Sequence, residues 1–115
     1  MTKANRLGFP PVPTFAIEGS LRSQALKVLE EAAELVEAVK AYESEEGAGN
    51  DLDFDKYIAM MAEAADVNQA LMNLMNAVGE CNGSISYAAA DCTIRNIERG
   101  RLAVEYVSVE GGRDA

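Results

Sequence analysis

Apolar residues recur every three or four positions from about Leu21 to Glu45, which is the spacing of one face of an α-helix. Ser20 precedes the first turn, where serine is a favoured N-cap residue. On a helical wheel the apolar face contains Ala25, Val28, Leu29, Ala32, Leu35, Val36 and Val39. The opposite face carries Lys27, Glu30, Glu31, Glu34 and Glu37, with Gln24 at its edge. The pattern predicts an amphipathic helix with an acidic outer face.

A polar stretch with two glycines, from Glu45 to Asp51, interrupts this pattern and predicts a loop. A second helix is predicted from about Lys56 to Val78, with Asp53 or Asp55 as its N-cap. Beyond Ile58 its only polar residues are Glu63, Asp66, Asn68, Gln69, Asn73 and Asn76. A helix that is apolar on almost every side is buried, and so short a chain offers little to surround it. We therefore expect a partner subunit to cover part of this helix.

A second break, at residues 79–83, precedes a third predicted helix from about Ile85 to Arg99, which Gly100 ends. Its inward-facing residues are expected to be Ile85, Ala88, Ala89, Cys92 and Ile97. The apolar residues that follow predict a short β-like tail, formed by Val104, Tyr106, Val107 and Val109.

All three prolines lie before the first helix and predict an extended arm. The chain is thus expected to comprise this arm over residues 1–18, a helical domain over 19–102 and a tail over 103–115. The domain is predicted to be all-α, an antiparallel bundle of three main helices that a partner subunit completes in a homodimer or tetramer. The arm is expected to pack one of its apolar side chains on the body: Phe9, Val12, Phe15 or Ile17.

The net charge of −9 and the isoelectric point near 4.4 argue against binding to nucleic acid or anionic membranes, because both need clustered basic surface. The sequence contains no histidine, which excludes histidine bases and histidine-ligated zinc. Cys81 and Cys92 lack the spacing of a zinc site. The N-terminal residues lack the apolar core of a signal peptide. We expect a cytoplasmic protein whose metal ligands, if it has any, are carboxylates.

The first group of candidate ligands lies on the acidic face of the first helix. The group consists of three glutamates, Glu30, Glu31 and Glu34. Glutamates that lie three or four residues apart on one face of a helix repel each other by about 0.2–0.5 kcal/mol per pair. A solvated acidic face is the plain alternative to a binding site.

Glu63 and Asp66 form a second group, at adjacent positions of the second helix among alanine, methionine and valine neighbours. Two unpaired carboxylates in such surroundings would cost several kcal/mol unless they are neutralised, paired or bound to a cation. The alternative to a cation site is a salt bridge to Lys27 or to an arginine of the third helix.

If the first two helices pack antiparallel, the two acidic groups approach each other and five carboxylates share one region. Such a group requires cations, and oxygen ligands favour Mg²⁺ or Mn²⁺ over zinc or copper. Because Mg²⁺ usually shares its coordination sphere with substrate phosphates, the pattern indicates a phosphate-bearing substrate.

The same residues resemble the signature of the MazG-like all-α nucleoside triphosphate pyrophosphohydrolases, which is EExxE followed by ExxD. The matching positions are Gln24-x-x-Lys27-x-x-Glu30-Glu31-x-x-Glu34-Leu35, then Glu63-x-x-Asp66. The run from Arg95 to Arg101 is similar to the basic closing helix of short, phage-type members. The resemblance covers about residues 20–102. It implies Mg²⁺-dependent hydrolysis of a nucleoside triphosphate to the monophosphate and pyrophosphate, with Mn²⁺ as a substitute, in a bundle formed by two subunits.

Carried over by position, the resemblance implies five metal-binding acids: Glu30, Glu31, Glu34, Glu63 and Asp66. One of the first three would also orient or deprotonate the attacking water. The residues implied in substrate binding are Gln24, Lys27, Asn73, Arg95 and Arg99. Lys27 and the two arginines would contact phosphate, and Asn73 the sugar or base. For Arg95 the alternative is an ordinary pair with Asp91, and for Asn73 it is a hydrogen bond between helices.

The identity of the nucleotide stays open at this stage. Stacking on a base is possible for Phe15, Tyr42, Tyr57 or Tyr87, and their spacing favours none of them. Canonical nucleotides, deoxynucleotides such as dUTP or dCTP, and non-canonical ones such as oxidised nucleotides or alarmones all remain open as substrates. A second function class is a non-catalytic helical dimer that binds nucleotide or a protein partner, with the glutamates as solvated surface.

Overall fold

The computed structural model describes residues 6–44, 51–79 and 83–103. Its helices are α1 (Leu21–Ser44), α2 (Asp51–Ala77) and α3 (Gly83–Glu98), and these three ranges contain no β-strand. The predicted all-α class is therefore confirmed. The predicted β-like tail and most of the loop before α2 lie outside the described residues. None of the helices in the described part of the chain combines the length and hydropathy that a membrane span needs.

The start of α1 agrees with the sequence prediction. The Ser23 amide donates a hydrogen bond to Ser20 Oγ at 3.1 Å, and the Ser23 hydroxyl donates to the Ser20 carbonyl at 2.8 Å. Ser20 is thus the N-cap of α1. Gly19, immediately before it, has φ +116°, and a Cβ there would lie 2.6 Å from Ser23 Oγ. The glycine allows the chain to turn from the arm into the helix.

The start of α2 was predicted too late. The helix begins at Asp51 rather than near Lys56, so Asp53 and Asp55 lie inside it and neither is its N-cap. At the other end, the Gly79 amide donates to the Asn76 carbonyl at 3.0 Å with φ +82° at the glycine, a conformation that ends a helix.

α1 and α2 pack against each other in antiparallel orientation. Glu31 of α1 lies beside Asp66 of α2, whereas the rings of Tyr42 and Tyr57 lie 6.3 Å apart near the other end of the pair. The buried and half-buried residues of each helix include a stripe with alternating steps of four and three, as in a coiled coil. The stripes are Gln24, Val28, Glu31, Leu35, Ala38 and Tyr42 on α1 and Lys56, Met60, Glu63, Val67, Ala70 and Leu74 on α2.

The packed face of α1 differs from the face predicted by the helical wheel. Leu29 is 64% exposed and Val36 is 51% exposed, although both were placed on the apolar face. Glu31, which was placed on the acidic outer face, is buried. The physical reason is that α2 covers only one stripe of a wider apolar surface, and that stripe is rotated toward the glutamates.

The chain separates into two compact units. One is Phe9–Gly79, which contains α1, α2 and most of the arm; the other contains α3. α3 ends in a Schellman motif: the Arg101 amide donates to the Asn96 carbonyl at 2.9 Å, and the amide of Gly100, at φ +76°, donates to the Ile97 carbonyl at 3.0 Å. The prediction that Gly100 ends this helix is confirmed, and the helix begins two residues earlier than predicted.

The predicted inward face of α3 is mostly exposed in the single chain. Ile97 is half-buried, but four other residues of that face are exposed: Ile85, Ala88, Ala89 and Cys92. Within the described residues Ala70 is the only buried apolar residue, and large apolar side chains of α2 such as Ile58 and Met61 remain exposed. A single copy therefore leaves much of its apolar surface in contact with solvent.

Candidate functional site

Three carboxylates converge where α1 and α2 pack together. Oxygens of Glu31, Glu63 and Asp66 lie within 4.8 Å of one another, and we call these three residues the carboxylate cluster. Glu31 is buried, Glu63 is half-buried and Asp66 is exposed, so the cluster reaches from the helix interface to the surface. Glu31 and Glu63 occupy interface positions that are apolar in most helix pairs. Three oxygen donors at this separation can hold a metal ion.

Glu63 is the least satisfied member of the cluster. Its Oε1 atom is buried and has no hydrogen-bond partner. Burial raises the pKa of the Glu63 carboxyl above its ordinary value, because the ionised form is poorly solvated there. Repulsion from neighbouring carboxylates raises this pKa further, and they are Glu34, Asp66 and Glu31. The surroundings thus disfavour the ionised form of Glu63 unless a cation is present.

Lys27 provides a positive charge at one edge of the cluster. Its Nζ lies 2.9 Å from Glu31 Oε2 and 3.5 Å from Glu30 Oε1. The hydrogen bond to Glu31 is the main reason that the pKa of Lys27 is raised above its ordinary value. The lysine is therefore a persistent cation beside the cluster.

The salt bridge from Lys27 to Glu63 or Asp66, considered as an alternative, is not formed. Among the described residues of the unit Phe9–Gly79, no lysine or arginine forms an ion pair with either carboxylate. The bonds of Lys27 go to the α1 glutamates instead. These two acids consequently receive no compensating charge from the lysines and arginines described in their own unit.

The structure separates the three glutamates of the first motif. The side chain of Glu31 is 11% exposed, whereas that of Glu30 is 67% exposed and lies outside the cluster. Glu34 is exposed and close enough to Glu63 to repel its charge, so it borders the cluster from the solvent side. The two candidate groups therefore meet as predicted, but through Glu31 and Glu34 rather than through all three residues.

A cleft of about 300 Å³ adjoins the cluster. One end is polar, with Lys27, Glu31 and Asp66, and the cleft continues along α2. Its full lining is Phe15, Ile17, Lys27, Glu31, Asp66, Gln69, Ala70 and Asn73. All of these residues belong to the unit Phe9–Gly79.

The arm is held against both helices by hydrogen bonds. Asn73 is buried, and its Oδ1 accepts hydrogen bonds from the Phe15 amide at 3.0 Å and from Gln69 Nε2 at 3.1 Å. Gln69 Nε2 also donates to the Pro13 carbonyl at 3.0 Å. On α1, Gln24 Nε2 donates to the Ile17 carbonyl at 3.4 Å, while Gln24 Oε1 is buried without a partner.

The remaining predicted substrate-binding residues lie in the unit that contains α3. Arg95 Nε donates to Asp91 Oδ2 at 3.0 Å, which is the ordinary pair considered as the alternative to phosphate binding. Arg99 is exposed just beyond the last residue of α3. Their roles in phosphate binding stay predictions.

Sequence reasoning missed three residues of the cleft, which are Ile17, Gln69 and Ala70. Gln69 appeared only as one of the few polar residues on an apolar helix, and Ile17 only as one of four arm residues able to pack on the body. The available signal for Gln69 was its spacing of four from Asn73, which puts both amides on one face of α2. Nothing in the sequence indicates that an arm far away along the chain supplies their partners.

Comparison with protein-family models, curated proteins and solved structures gives no match to this chain.

Proposed function

We propose that the chain is a nucleotide pyrophosphohydrolase that binds Mg²⁺ at the carboxylate cluster and a nucleoside triphosphate in the adjoining cleft. The observation that carries the proposal is the convergence of Glu31, Glu63 and Asp66, the last two of which pair with no lysine or arginine among the described residues of their own unit. The resemblance to the MazG-like signature supports the same residues. The reaction would break the anhydride bond between the α- and β-phosphates, with water supplying the new oxygen.

The cluster suits a hard divalent cation. All of its donors are carboxylate oxygens, and Glu63 Oε1 is buried without any other partner. A bound Mg²⁺ would neutralise charge on phosphate oxygens and favour ionisation of a nearby water. Mn²⁺ has similar ligand preferences and would substitute for it.

The other charged residues have distinct roles in this proposal. Lys27 lines the cleft beside Glu31, so its ammonium group would bind the negatively charged phosphates. Glu34 borders the cluster without belonging to it, and its exposed carboxylate would accept a proton from the attacking water. Glu34 is close enough to Glu63 to repel its charge and Glu30 is not among the residues that do so, which favours Glu34 over Glu30 as the base.

We also propose that the functional form is a homo-oligomer, at least a dimer. The exposed apolar residues on α1 and α2 support this proposal, since Leu29 and Val36 form one face and Ile58 and Met61 another. In such an assembly the partner's helices would complete a four-helix bundle. The same exposed surface also favours the second candidate function, a non-catalytic helical dimer that binds nucleotide or a protein partner.

Measurement of pyrophosphate release tests the proposal. The full chain is incubated with Mg²⁺ and a panel of canonical, deoxy and oxidised nucleoside triphosphates, and the metal-dependent rise in unfolding temperature is recorded in parallel. We expect turnover of at least one nucleotide and loss of turnover in Glu31→Ala and Asp66→Ala. Full activity in both variants would refute the site, and no turnover with any nucleotide would favour the non-catalytic alternative.

A further inference from the structure

The arm places an aromatic side chain at the cleft without burying it. The backbone of Phe15 is fixed by its bond to Asn73, yet its side chain lines the cleft and the residue is 58% exposed. An exposed phenylalanine on an anchored backbone presents a planar apolar surface at little entropic cost on binding. Ile17, two residues further along the arm, adds a second apolar group to the same wall.

The hydrogen bonds that hold the arm form a closed set. Gln69 and Asn73 lie one turn apart on α2 and bond to each other, and they also bond to Pro13 and Phe15 respectively. These two arm residues are two positions apart, so their backbone groups lie on one side of an extended segment. Three prolines restrict the arm before binding, which lowers the entropy cost of holding it in place. Two side chains of α2 thus set the position of the wall.

Charge divides the cleft into two parts. Lys27, Glu31 and Asp66 form a polar end that suits phosphates together with a cation, whereas Phe15 and Ile17 form an apolar wall. A nucleotide has the same division, with a charged phosphate chain and a planar base. Aromatic side chains bind bases by stacking with little sequence preference, because every base has a π-face.

We infer that the arm is the base-binding wall of the cleft, in which Phe15 stacks on the nucleobase and Gln69 and Asn73 act as positioning residues that hold the wall in place. This inference rests on the proposed function and refines it. It assigns Asn73 to the arm rather than to the sugar or base, because its carbonyl oxygen already accepts two hydrogen bonds. It also selects Phe15 among the four aromatic residues that the sequence left as equals.

Equilibrium binding tests the inference separately from turnover. The probes are the α,β-imido analogues of dUTP and dATP, with inorganic tripolyphosphate as a ligand that has phosphates but no base, all in Mg²⁺. We expect Phe15→Ala to weaken both nucleotide analogues by about tenfold, since stacking on one aromatic residue is worth about 1–3 kcal/mol. Binding of tripolyphosphate should not change. Phe9→Ala is the matched control, because Phe9 is similarly exposed on the arm but does not line the cleft.

The positioning role predicts coupling between the arm and α2. Gln69→Met keeps the length of the side chain but removes both donated hydrogen bonds, so it should weaken nucleotide binding and accelerate hydrogen exchange at the Phe15 amide. Combined with Phe15→Ala it should cause no further loss, because the two residues act through one wall. The inference would be overturned if the losses of nucleotide affinity in the two single variants added up in the double variant. It would also be overturned if tripolyphosphate binding were weakened as much as nucleotide binding.

The remaining outcomes separate the two proposals. If nucleotide binding depends on the base but no pyrophosphate is released, the proposed hydrolysis is refuted and the base-binding role of the arm is supported. If the wild type releases pyrophosphate but Phe15→Ala binds the nucleotide analogues as tightly as the wild type does, only the base-binding role of the arm is refuted. A wild-type chain that binds the nucleotide analogues no more tightly than tripolyphosphate would also overturn the inference.

Discussion

Glu31 of α1 and Glu63 of α2 present carboxylate oxygens within 4.8 Å of each other at the interface of the two helices. Both occupy stripe positions where helix pairs normally place leucine, isoleucine or valine. The two carboxylates destabilise the metal-free chain, because like charges repel each other and both groups are partly removed from water. An interface selected only for stability would not contain it, which favours a functional reason for the two glutamates.

The first prediction follows from the different positions of two adjacent glutamates: Glu31 belongs to the carboxylate cluster, whereas Glu30 lies outside it. We expect Glu31→Gln to reduce both the Mg²⁺-induced rise in unfolding temperature and the rate of pyrophosphate release, the latter by at least about tenfold, as is common when a metal site loses supporting groups. Glu30→Gln should have a smaller effect on both, because Glu30 lies outside the cluster.

Glu37→Gln is the control for this experiment, since Glu37 is exposed on α1 and pairs with Lys40 at 3.0 Å. It should match the wild type in both measurements. A larger loss in Glu30→Gln than in Glu31→Gln would contradict the observed geometry, and equal losses would support the motif resemblance, which implies both residues as ligands.

The raised pKa of Glu63 predicts how stability depends on pH. A carboxyl whose pKa is higher in the folded than in the unfolded state binds its proton more tightly when folded, so its ionisation destabilises the fold. This penalty is absent below the ordinary value of 4.5 and develops as the pH rises through the folded-state value. Without metal, Glu63→Gln should therefore be more stable than the wild type at pH 7, and the difference should shrink toward pH 4.

Urea denaturation at a series of pH values measures this difference in the free energy of unfolding. Glu37→Gln serves again as the control and should follow the wild-type curve. The Mg²⁺ affinity of the wild type should increase over the same pH interval, as the carboxylate loses its proton. A Glu63→Gln curve parallel to that of the wild type would contradict the environment described for this residue.

Lys27 offers a third prediction. Lys27→Met leaves the buried Glu31 carboxylate without its nearest cation, so the metal-free chain should be destabilised and its affinity for Mg²⁺ should increase. Lys40→Met removes an ion pair of which both members are exposed, and should change stability by less than about 1 kcal/mol.

Isothermal titration with Mg²⁺, together with thermal denaturation, measures both effects. Turnover in Lys27→Met should fall even at saturating Mg²⁺, because the phosphates lose a positive contact. Unchanged turnover would remove Lys27 from the substrate site but leave the cluster intact.

The exposed face of α1 leads to a prediction about assembly. Leu29 and Val36 are seven residues apart on one face, and Leu29→Arg would place a charge at its centre. We expect the wild type to have at least twice the 12.3 kDa mass of one chain in sedimentation equilibrium, and Leu29→Arg to shift the distribution toward the single chain. Glu37→Arg introduces the same side chain at an exposed polar position on a different face of α1 and should keep the assembly. A wild type of single-chain mass would contradict the proposal.

Much of the fold follows from local signals in the sequence. The serine N-cap of α1 and the glycine that ends α3 were predicted from residue types that satisfy backbone groups at helix ends. The start of α2 was not predicted correctly, because several closely spaced aspartates are each acceptable as the N-cap. The rotation of α1 was also mispredicted: its apolar surface is wider than one helix can cover, so a wheel does not tell which part α2 contacts.

The sequence by itself determined the three helices and the presence of acids among apolar neighbours on α2, because periodicity, caps and composition are local properties. Tertiary structure alone decided which acids converge, that Glu31 is buried, and that Gln69 and Asn73 hold the arm. These choices depend on how α1 is rotated about its axis, and a change of one position along a helix turns a side chain by about 100°. They also depend on contacts between residues more than fifty positions apart, for which the sequence contains no repeating signal.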